Sequence, residues 1–172
     1  MLRRSKSQVA PDLPDRIEET LTCEIEGDQK DLYTAELKNV QQSLRSIQSD
    51  AEFDKKRFNI LSSLLRLRQI CCHPRLIDPA YADMKSAKME ALIDRVSELM
   101  DEGHKVLIFS QFVEMLEIIR GELETLGCKH LMLTGKTKNR EELVDQFQDD
   151  KSITAFLLSL RAAGSGLNLT SA

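Results

Sequence analysis

The feature that most constrains this chain is a repeated switch of hydrophobic period along residues 86–170, from helix-like to strand-like and back. Met89, Leu92, Ile93, Val96, Leu99 and Met100 recur at three- and four-residue steps after Ser86, a capping residue, and Gly103 stops them. That spacing predicts a helix. Val106 to Phe109 reads as a short apolar strand. Ser110 is placed to cap a second helix through Phe112, Met115, Leu116, Ile119, Leu123 and Leu126, with Gly127 as its C-terminal stop. Leu131 to Leu133 reads as another strand and Thr134 to Lys138 as a polar loop; Asn139 with Glu142 resembles a capping box ahead of Leu143, Val144 and Phe147. Ile153, Phe156, Leu157, Leu158 and Leu160 then form an apolar run, as expected of a strand buried on both faces. Helix and strand in such alternation imply an α/β fold with a parallel, doubly wound sheet and right-handed crossovers. Three strands make a small sheet and the chain stops just after the third, so an incomplete lobe is expected.

The first half reads differently. Residues 1–16 carry Arg3, Arg4, Lys6, Pro11, Pro14 and Arg16 and are expected to form an irregular basic arm. Residues 17–26 alternate apolar and polar, which predicts a half-exposed strand ended by Gly27 and Asp28, with Asp28 as the cap of the next element. Leu32, Tyr33, Leu37, Val40, Leu44, Ile47 and Ala51 predict one amphipathic helix. Residues 55–72 predict another, with Phe58, Leu61, Leu64, Leu65, Leu67 and Ile70 on its apolar side, and the His73-Pro74 pair stops it. Its polar side carries Lys55, Lys56, Arg57, Arg66 and Arg68, either a solvated face or a stripe facing DNA. Pro79 to Lys85 reads as a linker. The expected organisation is a mainly helical segment over 1–80 and a partial α/β lobe over 81–172.

Composition narrows the function classes. The chain is 41% hydrophobic and 30% charged, enough for both a core and a hydrated surface. It contains no apolar run as long as a membrane span and no secretory signal, so no membrane partner is expected. Cys23, Cys71, Cys72 and Cys128 are irregularly spaced, which points to a reducing compartment rather than a disulfide framework. The net charge of −4 would repel a polyanion, so any phosphate-binding surface must be local.

Several constellations invite chemistry. Gly164, Ser165 and Gly166 follow the last strand, where glycines let the backbone take positive φ and approach a ligand beyond the sheet. Gly135-Lys136-Thr137 imitates the end of a phosphate-binding P-loop, but His130 stands where that motif needs its first glycine. A weaker expectation survives: the amides of Thr134 to Thr137, near a helix start, could bind a single phosphate. Cys71-Cys72-His73 lacks a second ligand pair at zinc spacing and reads as packing at a helix end. His73, His104 and His130 suggest no nucleophilic triad. No metal site and no catalytic residue is expected within the chain.

The series GHKVLIFSQF (103–112), LTGKTKNREELVDQFQ (133–148) and FLLSLRAAGSGLNLTSA (156–172) resembles the second RecA-like lobe of the Swi/Snf-related ATPases of helicase superfamily two. LLRLRQICCHPRLI (64–77) looks like the block that joins that family's two lobes, and the opening residues are similar to the end of its first lobe and helical protrusion. The resemblance implies an ATP-driven translocase on double-stranded DNA that remodels a DNA-bound protein. It places Ser110 and Gln111 in motif IV, and Thr134, Gly135 and Arg140 in a loop beside the DNA backbone. It places Ser159, Arg161, Gly164, Gly166, Asn168 and Thr170 in motif V, between the DNA strand and the nucleotide cleft; Ala163 departs from a usual glycine. Hydroxyls and amides of this kind position a phosphate backbone without reading bases. The family's Walker lysine, Asp-Glu metal box and arginine finger have no counterpart in these residues. ATP and Mg2+ are therefore expected as cofactors of a parent that also holds a first lobe, while the 172 residues alone are expected to be inactive. Such a parent would be cytoplasmic in a bacterium and nuclear in a eukaryote. Two other readings stay open: a non-catalytic protein-interaction module, and a self-contained nucleotide-binding α/β domain.

Overall fold

The computed structural model describes residues 17–47, 49–164 and 169–172. Two helices, α1 (Gly27–Arg45) and α2 (Asp50–Cys72), pack side by side. The short link between them makes them antiparallel, and Ser49 caps α2 by accepting the Glu52 amide at 3.3 Å. Two 3-10 turns, Pro74–Leu76 and Pro79–Tyr81, lead to α3 (Ala87–Asp101). Then come β1 (Val106–Ser110), α4 (Val113–Thr125), β2 (His130–Leu133), α5 (Arg140–Asp149), β3 (Ala155–Ser159) and the single turn α6 (Leu160–Ala163).

The sheet is parallel, in the order β1-β3-β2. From β1 the chain crosses to β2 two places away, then returns to fill the centre. A right-handed crossover that reverses direction must pass over the opposite face. Accordingly α3 and α4 cover one face, with Val96, Leu116 and Leu123 against Ile108, Ala155 and Leu157. The other face belongs to α5, with Val144 and Phe147 against Leu133, Phe156 and Leu158. The rings of Phe147 and Phe156 meet at a centroid distance of 5.1 Å. Every residue of β3 is buried, as its unbroken apolar run predicts.

The helix stops in this half are backbone devices. Gly103 and Gly127 take φ of 76° and 69°, and the following amides reach back, His104 to the Leu99 carbonyl at 2.8 Å and Cys128 to that of Leu123 at 2.9 Å. A residue with a β-carbon rarely adopts this left-handed cap. Lys105 closes α5 from below, its ammonium donating to the carbonyls of Phe147, Gln148 and Asp150 and standing 4.7 Å above the Phe147 ring.

The first half corrects several expectations. Residues 17–26 form no strand: they are irregular, and Ile17 is 94% exposed. Alternation alone supplies no partner, and a lone strand leaves its ladder groups unpaired. Helix α1 starts at Gly27, with Glu26 rather than Asp28 at the cap position, and ends at Arg45; Ala51 belongs to α2. Of the apolar residues assigned to the inner side of α2, only Leu67 and Ile70 are buried, joined by Ile60; Phe58 is 78% exposed. The linker contains a 3-10 turn, which Asp78 caps through the Ala80 amide. Leu160 leaves the sheet and starts α6.

Candidate functional site

Parallel strands bring their carboxyl ends to one edge, so residues far apart in sequence line up there. Ser110, the last residue of β1, is level with Ser159, the last of β3. Leu133 of β2 is level with Leu158, which puts Thr134 beside Ser159. Three hydroxyl residues thus stand in a row across the edge, spanning about 10 Å at the usual strand spacing. Each oxygen is occupied by its own loop. Ser110 accepts the Phe112 amide at 3.1 Å, Thr134 accepts that of Lys136 at 3.3 Å, and Ser159 accepts that of Ala162 at 3.3 Å. A hydroxyl that accepts in this way keeps its proton to donate; Ser110 and Thr134 are partly exposed, whereas Ser159, at 3% exposure, is buried between them and serves to cap α6. Ser110 does not cap the helix after β1, as its sequence position predicts; Phe112 holds the cap position, and Ser110 closes the turn before it.

The loop after β2 corrects the phosphate-cradle expectation. The Thr134 amide donates to the Thr137 hydroxyl at 2.9 Å, the Lys136 amide to the Thr134 hydroxyl, and the Thr137 amide to the Thr134 carbonyl at 3.1 Å. Only the Gly135 amide, among these four, has no such internal bond, so the loop does not present a nest of free donors. Its side chains remain available: Lys136 and Lys138 are exposed, and Arg140 is held beside the loop by donating to the Thr137 carbonyl at 3.5 Å. The expected capping box is also replaced, because Asn139 donates its side-chain amide to Glu142 at 2.7 Å instead of accepting a backbone N–H.

After β3, Arg161 is exposed on α6 and Gly164 follows with φ −68°. This is ordinary helical backbone, and an added β-carbon would meet only the Leu160 and Arg161 carbonyls at 3.5 and 3.8 Å. The positive φ expected of this bend is therefore not at Gly164. Gly166 and Asn168 lie outside the described residues. Thr170 does not join the row: its hydroxyl donates to Gln148 at 2.8 Å, near the far end of α5, while Leu169 packs into the core on that face.

Gln111 has a partner that the sequence did not single out. Arg68 of α2, 43 residues earlier, donates to its side-chain carbonyl at 2.6 Å. Nothing in the spacing of either residue announces this contact, since it depends on how α2 lies against the lobe. Arg68 and Gln111 border a cleft of about 830 Å³ between α2 and the carboxyl end of β1. A second joint lies deeper. Gln29, only 3% exposed, donates to the Ile70 carbonyl at 2.8 Å and accepts the Ala87 amide at 3.2 Å, tying α1, α2 and α3 together. Ser86 donates to the Cys72 carbonyl at 2.7 Å and accepts the Met89 amide. The open carbonyls at the end of α2 are thus satisfied by the lobe's own first cap. His73 is buried, and its Nδ1 accepts the Arg75 amide at 3.1 Å. Burial lowers its pKa, Arg75 lowers it further, and Glu122 opposes them. Burial likewise pushes the Cys71 thiol up, against the pull of Lys88.

The sequence matches the helicase conserved C-terminal domain over residues 87–172 and the SNF2-related domain over residues 1–76. The chain belongs to the Swi/Snf-related ATPases of helicase superfamily two. An uncharacterized ATP-dependent helicase of Mycoplasma pneumoniae is 30% identical to the whole Swi/Snf chain, which covers 16% of it. Nuclear protein STH1/NPS1 of Saccharomyces cerevisiae is 33% identical, again over the whole chain and 14% of its own length. Among solved structures, the Sulfolobus solfataricus SWI2/SNF2 ATPase core in complex with dsDNA superposes with a TM-score of 0.81 at 36% identity, over 99% of this chain and 37% of that one. The sheet and its helices are thus a RecA-like Swi/Snf fold. The Swi/Snf chain spans roughly a tenth to a fifth of the length of such curated relatives. Residues 77–86 separate the two matched stretches and hold the second 3-10 turn and Ser86. Among the described residues no three His, Cys, Asp or Glu side chains converge where a metal ion could sit, and no helix is long and apolar enough to cross a membrane.

Proposed function

We propose that this chain serves as part of the C-terminal lobe of an ATP-driven motor that moves along double-stranded DNA, with its strand-end edge meeting the DNA backbone and one wall of a nucleotide cleft. The observation that carries this reading is the row of Ser110, Thr134 and Ser159. The partly exposed hydroxyls of Ser110 and Thr134, with buried Ser159 holding the turn between them, Gln111 beside them and Arg140 and Arg161 nearby, suit phosphate oxygens and offer nothing that distinguishes one base from another. Gly135, Gly164, Gly166 and Asn168 are assigned to the same edge by motif, and Thr170 by motif alone. Division of the chain into a helical part over 1–80 and a lobe part over 81–172 belongs to this proposal.

ATP and Mg2+ are cofactors of the parent in this reading. The edge fits a phosphate chain, since its groups are donors and cations. It does not fit the metal, which requires carboxylates. Magnesium ligands and the P-loop lysine are therefore assigned to a first lobe of the parent. That lobe, duplex DNA and a DNA-bound target protein are the proposed partners. The proposed location is the nucleus if the parent is eukaryotic and the cytoplasm if it is bacterial.

The test has two parts. Placed in the parent, Thr134→Val with Arg140→Ala is expected to lower DNA-stimulated phosphate release by about tenfold, the loss of one charge-assisted contact. Unchanged stimulation overturns the assignment of this edge. The 172 residues alone are expected to release no phosphate from ATP with or without DNA, and DNA-dependent turnover by them overturns the division of labour.

A further inference from the structure

Gln111 stands in a turn whose backbone is pinned. It follows Ser110, the last residue of β1, and precedes Phe112, whose amide the Ser110 hydroxyl accepts at 3.1 Å. Arg68 reaches it from α2, and its place is fixed as well. Leu67 before it and Ile70 after it are buried, and the carbonyls of Ile70 and Cys72 are bound by Gln29 and Ser86. Between these two anchored backbones, a guanidinium N–H of Arg68 donates to the Gln111 side-chain oxygen at 2.6 Å, the short distance of a charge-assisted bond. Donor and acceptor both belong to this chain, and the contact needs no surface to be open.

The chemistry of the pair is one-sided. A glutamine side chain offers a carbonyl on one arm and an NH2 donor group on the other, and a half-turn of its last torsion exchanges them. Arginine has no acceptor, so only the carbonyl arm can meet Arg68. The NH2 arm is thereby turned away from Arg68, and it has no partner among the described residues. A cation on the carbonyl also polarises the amide and strengthens its remaining donors. Arg68 has no carboxylate among the described residues to draw it off, whereas Arg66, two residues earlier, is paired with Glu36 at 3.3 Å. We infer that Arg68 is a positioning residue for the strand-end edge: by holding the carbonyl of Gln111, it makes that amide a donor to a phosphate oxygen. The inference rests on the phosphate-binding role proposed for this edge. Without Arg68 the amide is free to turn, and it then sets its own oxygen against the anion.

The test is made in the parent, so that the groups supplied by its other lobe are present throughout. DNA-stimulated phosphate release is measured as kcat, KM for ATP and the half-saturating concentration of duplex DNA, for Arg68→Ala, Gln111→Leu and the double variant. Each single variant is expected to raise one of the two half-saturating concentrations by about tenfold. The double variant should raise it no further than either alone, because Arg68 acts through Gln111. A rise for DNA assigns the phosphate to the duplex, and a rise in KM assigns it to the nucleotide. Arg68→Lys, still a donor with no acceptor, should recover most of the loss. Gln111→Glu separates positioning from packing. It gives Arg68 an ionic partner, so the thermal midpoint should not fall, yet it has no N–H to donate and should weaken binding by about tenfold or more. A loss in Gln111→Leu with Arg68→Ala unchanged overturns this inference and leaves the reading of the edge standing. So do losses that add in the double variant, a Gln111→Glu that binds as tightly as before, or a fall in kcat with both concentrations unchanged. An unchanged Gln111→Leu removes Gln111 from the edge, and both readings of that residue fall together.

Discussion

Gln29 shows how much one buried polar side chain decides here. Its amide satisfies a carbonyl at the end of α2 and the first amide of α3, so Gln29→Leu leaves both without that partner in a largely buried joint. The expected cost is about 2 to 3 kcal/mol, read as a lower urea midpoint with an unchanged slope. His73 makes the same region sensitive to pH. Its folded-state pKa lies below the ordinary 6.5, chiefly because the ring is buried. Between those two values the unfolded chain binds a proton that the folded chain refuses. Its contribution to stability is therefore complete above 6.5 and is lost as pH falls through the folded-state value. Urea midpoints at pH 7.5 and 5.5 should show this loss. His73→Asn, which can still accept the Arg75 amide, should show a smaller one; equal losses in both proteins would exclude His73 as the source. Asp150, whose carboxylate is held below its ordinary 3.8 by the Ser152 hydroxyl and amide, acts in a lower window.

Elements differ in how far their own pattern commits them. β3 is covered on both faces, Leu157 by α3 and α4 and Leu158 by α5, and both residues are fully buried. Leu157→Ala and Leu158→Ala should each destabilise by about 3 kcal/mol, although they point in opposite directions. β1 has a paired side and an open side, and Phe109 is 49% exposed, so Phe109→Ser should cost well under half as much. Thermal melts of the three variants check this ranking, and a large loss at Phe109 would contradict the placement of β1 at the edge. α2 is the reverse case. Its heptad-like leucines announce a helix but not which side is covered, and the periodicity suggests an inner stripe that the structure turns outward.

At the scale of the whole molecule, electrostatics limits what the proposed DNA-facing edge can do alone. The chain carries net −4, while Lys136, Lys138, Arg140 and Arg161 lie near the strand ends. Binding to duplex DNA should therefore be weak and should fall with salt as about the third power of concentration, the release expected for three or four phosphate contacts. Removing Arg140 and Lys136 should flatten that dependence. A salt slope near zero in the unmodified chain would mean that the edge does not touch the backbone. The same scale explains the two joints of the candidate site. Arg68 reaches Gln111, and Gln29 reaches Ala87, only because the helical pair lies against the lobe, bringing together groups 43 and 58 residues apart.

The sequence by itself determined the second half of this protein. Period, caps and stop glycines there are local signals, and they fixed the order of helices and strands, the parallel sheet and the strand ends that carry Ser110, Thr134 and Ser159. Its motifs also carried the family. Tertiary structure decided whatever needs a partner distant in the chain. Residues 17–26 alternate as a strand would, yet no strand among the described residues forms a ladder with them; Thr170 sits in the motif, yet the chain carries it to Gln148, away from the strand-end row. Three of the four amides of the 134–137 loop bond within the loop itself, and none of the described residues covers the outer apolar side of α2. Periodicity reports what one segment can do, whereas burial, pairing and satisfied hydrogen bonds are properties of two segments at once.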